Sequence, residues 1–479
     1  MLLQELTKER VFYYFSELAK IPHGSRNTKQ ISDYCVRFAI DRGFEYHQDE
    51  LNNVIMIKEA SEGREDDEPL ILQGHLDMVC EKAEGITKDM SIEGLDLCID
   101  GEYLKADGTT LGGDDGIAVA MILAIFEDEK LSHPRLEAVF TVDEEIGMLG
   151  AAAIDVSPLK GHTMLNIDSE AEGIFTVSCA GGVVATLRIP VSREQTYKNS
   201  YSIDISGLTG GHSGIEIHKG RASANKVMAN ILKEVSDRLE IGLISVDGGL
   251  KDNAIPVSCV AVIASDENLE DLANTVRSIA QPIAERYKDT DPGMKIDVNH
   301  VHDNKKTSMT INDTKKVIEA LYSLPEGVQE MSTDIEGLVQ TSLNMGILNT
   351  TEDHVEMSYC VRSSVDSQKK GLTDILKKKA DKTGGKLILT GDYPGWQYKQ
   401  DSVLRDRMVE IYKKQYKEEP VIEAVHAGVE CGLFAGKIQG LDCVSYGPNL
   451  LEIHTYRERM DIESVRRVYA FTRKIIEDF

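Results

Sequence analysis

The chain is short of positive charge: 53 Lys and Arg stand against 80 Asp and Glu in 479 residues, a formal charge of −27. So acidic a body repels phosphate backbones and anionic headgroups, which excludes nucleic acid as a partner. It attracts cations, although acidity of this kind also serves solubility alone. Long apolar runs are missing too. The longest, Ile117 to Phe126, falls well short of the roughly 20 residues that cross a bilayer, so no membrane partner or span is expected. The opening M-L-L-Q-E-L-T-K-E-R has neither a basic stretch nor a small-residue cleavage site, and export is not signalled. No C-x-x-C pair occurs, and the 8 cysteines stand singly, as reduced thiols of a cytoplasmic protein do. No Walker or dinucleotide fingerprint follows a strand, because Gly182-Val183 lacks the later glycine of G-x-G-x-x-G.

What is present is an ordinary globular balance, 41% hydrophobic and 28% charged. That excludes disordered, collagenous and disulfide-scaffold chains, and at about 150 residues per domain it predicts two or three domains. The first 180 residues alternate helical patterns (Leu6 to Leu18, Ile31 to Arg42, Ile117 to Glu127) with continuous apolar strands at Asn53 to Ile57, Pro69 to Leu72, Leu136 to Val142 and Met164 to Ile167. Continuous rather than alternating strands mean a sheet covered on both faces, hence an α/β class. From about Trp396 the same grammar returns, with helices at Ser402 to Tyr416 and Ile462 to Ile476 around strands at Val421 to Ala424 and Cys443 to Tyr446. Between them, alternating strands (Tyr201 to Ile205, Val257 to Ala264, Lys295 to Val298, Val355 to Val361) interleave with polar-faced helices (Ala222 to Arg238, Leu269 to Tyr287, Gly371 to Thr383), in an order that fits two passes of β-α-β-β-α. We expect an α/β domain formed by residues 1–182 and 396–479, interrupted by an inserted α+β domain at residues 183–395. Cys179-Ala-Gly-Gly182 and Asp392-Tyr-Pro-Gly-Trp396 would be its hinge strands, with the lone Trp packing the hinge.

The chemistry gathers at strand ends. Gln73-Gly74-His75-Leu76-Asp77 follows an apolar strand, where α/β sheets present ligands, although a buried structural histidine fits the same pattern. Leu111-Gly112-Gly113-Asp114-Asp115-Gly116 delivers Asp114 ahead of an apolar helix, or simply caps that helix. Thr141-Val142-Asp143-Glu144-Glu145 ends a strand with three carboxylates that repel one another unless cations absorb the charge. Asn166-Ile167-Asp168-Ser169-Glu170 closes another strand with carboxylates, and Glu452-Ile453-His454 follows the last one. Histidines and carboxylates at successive ends of one sheet suit zinc or a similar divalent ion.

The ordered set H-L-D, G-G-D-D-G, T-V-D-E-E-I-G, N-I-D-S-E and E-I-H resembles the co-catalytic dizinc amidohydrolase and exopeptidase family that includes carnosinases and aminoacylases. T-T-L-G-G-D-D-G-I-A, G-L-T-G-G-H-S-G-I-E-I-H, D-N-A-I-P and H-A-G-V-E-C-G-L-F carry the resemblance on to its aminoacyl-histidine dipeptidases, over essentially the whole chain. The resemblance implies a mixed-sheet dizinc-peptidase catalytic domain interrupted by an α+β lid and dimerisation domain. It implies two divalent metal ions, zinc first with cobalt or manganese as alternatives. Asp114 would bridge them, His75 and Asp168 completing one site and Glu145 and His454 the other. Two such ions balance three carboxylates and one hydroxide. Glu144 would be the general base, and the Asp77 carboxylate would hold His75 in its ligating tautomer. His212 would reach across a homodimer to the partner's metals. Asn253, Arg362, His426 and Glu430 would bind substrate, Arg362 taking a C-terminal carboxylate and Glu430 a free amine; for Arg362 a cross-strand ion pair fits as well. The family commonly shows Asp-Asn where this chain has Asp114-Asp115, and the peptide bond there is often cis. The implied activity is hydrolysis of Xaa-His and other unblocked dipeptides. An N-acyl-amino-acid deacylase on the same metals, and a non-catalytic metal or peptide binder, are the alternatives.

Overall fold

The computed structural model describes residues 2–196, 198–301 and 307–479. They form two compact units, one of Met1–Ser178, Tyr398–Ala424 and Val429–Phe479, the other of Cys179–Gln397 and Val425–Gly428. The seams fall within a few residues of the glycine-rich markers at 182 and 396. The short piece Val425–Gly428, which the sequence pattern assigns to the first unit, belongs to the second.

The first unit is built on an eight-stranded mixed sheet. Its strands run Glu45–Gln48, Val54–Lys58, Leu136–Thr141, Leu70–His75, Thr163–Asn166, Asp442–Ser445, Ile174–Cys179 and Val421–Val425. The third to sixth of these are mutually parallel, and the second pairs antiparallel to the third. All residues of the parallel strands are buried, which is why their centres read as continuous rather than alternating apolar residues. Register sets His75 opposite Thr141 and Gln73 opposite Asn166, so the strands end level at their carboxyl ends. The helix Gly113–Glu127 is buried from Gly113 to Phe126, apolar all round because it lies inside the unit. It comes so close to the sheet that a Cβ on Gly74 would stand 2.5 Å from Asp115 Oδ2 and 3.0 Å from the Ala118 methyl.

The second unit is a nine-stranded antiparallel sheet, ordered Lys295–His300, Asn199–Ser206, Cys259–Ser265, Ile241–Gly248, Val339–Thr350, His354–Ser363, Gly181–Pro190 and Lys386–Tyr393, with Gly327–Met331 paired alongside Val339–Thr350. Alternating burial along Asn199–Ser206 and Gly181–Pro190 marks one face turned to the core. The helices Ala224–Arg238, Leu269–Arg286, Ile311–Ser323 and Asp366–Thr383 contribute to that core. One β-α-β-β-α pass runs from Asn199–Ser206 to Leu269–Arg286, whereas the stretch from Thr307–Met309 to Asp366–Thr383 carries an extra strand, Gly327–Met331, and reads β-α-β-β-β-α. Cys179 and Trp396 exchange main-chain hydrogen bonds of 3.0 Å in both directions, and the Trp396 ring is buried.

Two differences from the sequence pattern have a packing cause. Leu6 to Leu18 is not one helix but two, Leu3–Leu6 and Arg10–Leu18. The polar turn between them resets the helical phase, so that both Leu6 and Phe12 reach the core. The strands Ile241–Gly248 and Val339–Thr350 lie centrally in their sheet yet carry few apolar runs, because their polar residues are paired by neighbouring elements. Among the described residues no helix is long and apolar enough to cross a membrane.

In the first unit Phe471 stacks on Phe175 at 5.7 Å and meets Tyr412 and Tyr446 edge-on. Phe471→Ala empties a site with no exposed neighbour to collapse into it. We expect a loss of about 3–5 kcal/mol in urea unfolding, with KM for substrate unchanged.

Candidate metal centre

The carboxyl ends of the parallel strands and the loops that follow them bring five of the predicted ligands together. His75, Asp114 and Asp168 form one group, and Asp114, Glu145 and His454 a second, with the ligand atoms of each group all within 4.8 Å of one another. Asp114 is the shared member. Its Oδ1 lies 3.1 Å from His75 Nε2 and its Oδ2 3.1 Å from His454 Nε2. Asp168 Oδ1 stands 3.5 Å from the first ring, and Glu145 Oε2 3.0 Å from the second. His75 is buried at the strand end, whereas the His454 side chain is 47% exposed.

Local chain geometry explains the delivery. Gly112 takes a left-handed conformation (φ 65°) just before Asp114, and the Asp114–Asp115 peptide bond is cis. Asp143 is left-handed as well (φ 55°), which turns the chain off its strand before Glu144 and Glu145. His454 sits at φ 58° in a tight turn.

The role expected of the Asp77 side chain belongs in part to its main chain. His75 Nδ1 lies 2.9 Å from the Asp77 carbonyl and donates to it, leaving Nε2 free to ligate, while the Asp77 carboxylate is at 3.6 Å. That carboxylate instead accepts the Glu144 main-chain N–H at 3.0 Å and the Ser25 hydroxyl at 2.8 Å, so it holds the loop that carries Glu144 and Glu145. Asp115, the departure from the family pattern, turns away from the ligand groups and accepts the His75 N–H at 3.1 Å.

Electrostatics test whether cations fit. Burial and Asp168 hold the Asp115 carboxyl well above its usual range. Burial, reinforced by Asp168, Glu430 and Glu145, pushes Glu144 up to about 9. Glu170 and Glu430 are raised to about 7, burial leading in both. Burial opposes charge on His75, but Asp168, Asp114 and Asp77 outweigh it and hold the ring well above its ordinary value. Hydrogen bonds to Asp114 and Glu145 lift His454 to about 10. Glu145 Oε1 is buried without a partner. Two imidazole nitrogens and three carboxylates, crowded beyond what protein cations balance, suit two divalent ions through mixed N/O ligation.

Four residues further on, the turn after His454 contributes a group that the motifs did not point to. Glu458 is buried and its carboxylate meets the loop before Asp114. In T-Y-R-E-R it reads as one more solvated charge. Glu430 opens the helix Glu430–Lys437 and is fully buried. Its Oε2 accepts from Gln73 at 2.6 Å and Thr141 at 2.7 Å, and its Oε1 has no partner.

The remaining predicted residues lie in the second unit. His212 Nδ1 accepts the N–H groups of Gly214 (3.0 Å) and Ile215 (3.2 Å), so that nitrogen carries no proton and Nε2 does. Burial and the Arg362 charge lower its pKa, so the ring is a neutral N–H donor. A Cβ on Gly214 would come within 2.6 Å of the His426 carbonyl, so the chain's own second unit packs the His212 loop against the segment that carries His426. These contacts fix the orientation of the His212 ring within the second unit. Its neighbours His426 and Arg362 come from its own chain. His426 does not cap the following helix, where Val429 stands. It bonds Ser342 Oγ through Nε2 at 2.7 Å, and its Nδ1 is buried without a partner. Burial and Arg362 push it down to about 3.

Arg362 faces Ser342 and Gly182 across the sheet, so the cross-strand ion pair is not formed. Its Nη1 donates to the Tyr393 hydroxyl at 3.2 Å, its Nε is buried without a partner, and among the described residues no carboxylate pairs with it. Asn253 is exposed and meets the His212 loop through its carbonyl, which accepts from Ser213 N at 2.9 Å.

An α/β sheet whose strand ends gather two linked N/O ligand groups defines a dinuclear-type metallohydrolase. The chain belongs to peptidase family M20/M25/M40, whose family model matches residues 71–478, and so to the hydrolases that act on peptide bonds. It is 34% identical over 483 aligned residues to the cytosol non-specific dipeptidase of Escherichia coli strain K12, covering 99% of each chain. It superposes on the crystal structure of aminoacylhistidine dipeptidase from Vibrio alginolyticus with a TM-score of 0.95 at 32% identity, over 100% of this chain and 98% of that one. Aminopeptidase PepT from Bacillus cereus shares the fold, with a TM-score of 0.56 at 16% identity over 98% of both chains.

The raised groups fix a sign for cation binding. In the metal-free protein His75, His454 and Glu144 hold protons near pH 7, and a cation needs the free lone pairs of the two rings. Binding at pH 7 should release on the order of two protons, and affinity should rise with pH. Calorimetry in buffers of different ionisation heat reads this directly, and a heat independent of buffer would contradict it.

Proposed function

We propose that the chain is a metal-dependent dipeptidase that hydrolyses Xaa-His and other unblocked dipeptides. The observation that carries this reading is the pair of ligand groups sharing Asp114, with Glu144 next in the chain to the ligand Glu145. The E. coli and Vibrio relatives, a non-specific dipeptidase and an aminoacylhistidine dipeptidase by name, support the substrate class. His75, Asp114 and Asp168 would hold one divalent ion and Asp114, Glu145 and His454 the other, zinc being the ion best matched to this donor set. When bound, the ions supply Lewis-acid polarisation of the scissile carbonyl and a more acidic attacking water.

The protein's own groups do the rest. Glu144, fixed through its N–H to Asp77, takes the proton of the attacking water and returns it to the leaving amine. His212, neutral and donating through Nε2, stabilises the oxyanion of the tetrahedral intermediate. Arg362, a buried guanidinium without a protein counter-charge, takes the free carboxylate of the dipeptide, with Asn253 and the His426 ring beside that subsite. Glu430 Oε1, an acceptor without a partner, takes the free amine. With an anchor for each charged end of a dipeptide, blocked peptides should be poor substrates.

A cytoplasmic location is part of the reading and is supported by the name of the E. coli relative. A homodimer through the inserted domain is carried by the resemblance. In this reading, as the resemblance implies, the dimer completes the site, because His212 of one copy acts on the metals of the other.

Two experiments test the reading. Dipeptides should be cleaved at least about tenfold faster than their N-acetyl or C-terminal amide forms, and Arg362→Met should erase only the discrimination against the amide. Preference for the N-acetyl form would mean a deacylase instead. Glu144→Gln should keep its cations and lose about 10²–10⁴ in kcat. Mixing it with His212→Ala should recover activity, because a mixed dimer holds one site with both residues, and no recovery would mean that His212 works within its own chain.

A further inference from the structure

We infer that Glu458 is the positioning residue that sets the shared ligand Asp114 and ties it to His454. Its carboxylate is 3% exposed. Through Oε2 it accepts the main-chain N–H groups of Leu111 (2.8 Å) and Gly112 (3.0 Å), and through Oε1 those of Gly113 (2.8 Å) and Asp114 (3.4 Å). These are amides at the start of the buried helix Gly113–Glu127, which has no capping side chain of its own. A fan of N–H groups closing on one carboxylate is a concavity that favours negative charge, and here a side chain from near the other end of the chain fills it.

This approach accounts for the two glycines before the aspartates. Gly112 takes φ 65°, and a Cβ on Gly113 would stand 3.2 Å from Glu458 Oε1, so any side chain there presses on the carboxylate. The bare Gly113 leaves that approach unobstructed.

The second half of the inference concerns His454. His75 is oriented by the Asp77 carbonyl on its Nδ1, but the His454 ring is half exposed and depends on the turn that carries it. That turn is internally bonded: Thr455 Oγ1 donates to the Glu452 carbonyl at 2.7 Å, Glu458 N to the Thr455 carbonyl at 3.1 Å, and Arg457 and Arg459 clamp the Glu452 side chain. Glu458 links this unit to the loop of Asp114. The carboxylate therefore fixes two of the three ligands of the second group and one of the three ligands of the first.

The inference rests on the dinuclear reading, and the experiment separates the two. Zinc is titrated against a competing chelator into metal-free wild type, Glu458→Gln and Glu458→Asp. Wild type should bind two equivalents, and one that binds none overturns the dinuclear reading itself. In both variants the second equivalent should weaken about 10- to 100-fold and the first by less. Glu458→Asp keeps the charge and loses only reach, so loss in that variant cannot come from long-range electrostatics. Excess zinc should restore its kcat, which a general loss of stability would not allow. Variants that bind both equivalents as wild type does overturn the role of Glu458. Should neither variant fold, hydrogen exchange decides on the wild type. Slow exchange of the 111–114 amides in the metal-free protein supports the inference, and exchange at the rate of an exposed loop overturns it.

Discussion

One carboxylate facing two imidazoles organises this molecule. Asp114 turns one oxygen to each ring, and every other member of the two ligand groups is placed relative to it. Burial first, and repulsion between like charges after it, raises the carboxyls of Asp115, Glu144 and Asp168. A protein holds such a cluster only by making the surrounding backbone rigid or by supplying cations. Here both apply: level strand ends, a glycine turn and a clamping carboxylate fix the frame, and the donor set suits divalent ions.

The two units carry complementary electrostatics. The first concentrates acid at the ends of its parallel strands. The second sets a neutral histidine, another buried neutral histidine and an unpaired guanidinium near one another. Burial first, and the Arg362 charge after it, keeps both rings neutral, because a nearby cation disfavours a second positive charge. The buried guanidinium and the neutral state of the two rings are thus electrostatically linked. Tyr393 adds to it, since its hydroxyl steadies the guanidinium while its ring fills the space left by Gly182 and Gly428.

Much of this was legible in the residues. Leu70 to Leu72 and Ala138 to Phe140 are apolar without a break and are followed by polar groups, a local pattern that needs no partner to be read. The antiparallel helper strands were harder. Val339–Thr350 buries Thr341, Ser342 and Asn344, whose partners are Ser363 and Gln368, His426, and the carbonyls of Asp252 and Ala254. A strand whose polar side chains are satisfied only by distant elements does not alternate, so periodicity passes over it. The same holds at the metal centre. Glu458 lies in a charged run, and nothing nearby in the chain distinguishes it from a solvated residue.

The amino-acid order by itself determined which residues could bind cations and that they follow buried strands, because residue type and apolar continuity are properties of short stretches. The tertiary structure alone decided which oxygen of Asp114 meets which ring, that the Asp77 carbonyl shares with its carboxylate the orienting of His75, and that the His212 loop packs against a segment of its own chain. Those outcomes depend on the register of strands and turns hundreds of residues apart, and a hydrogen bond of about 3 Å resolves differences that no local pattern encodes.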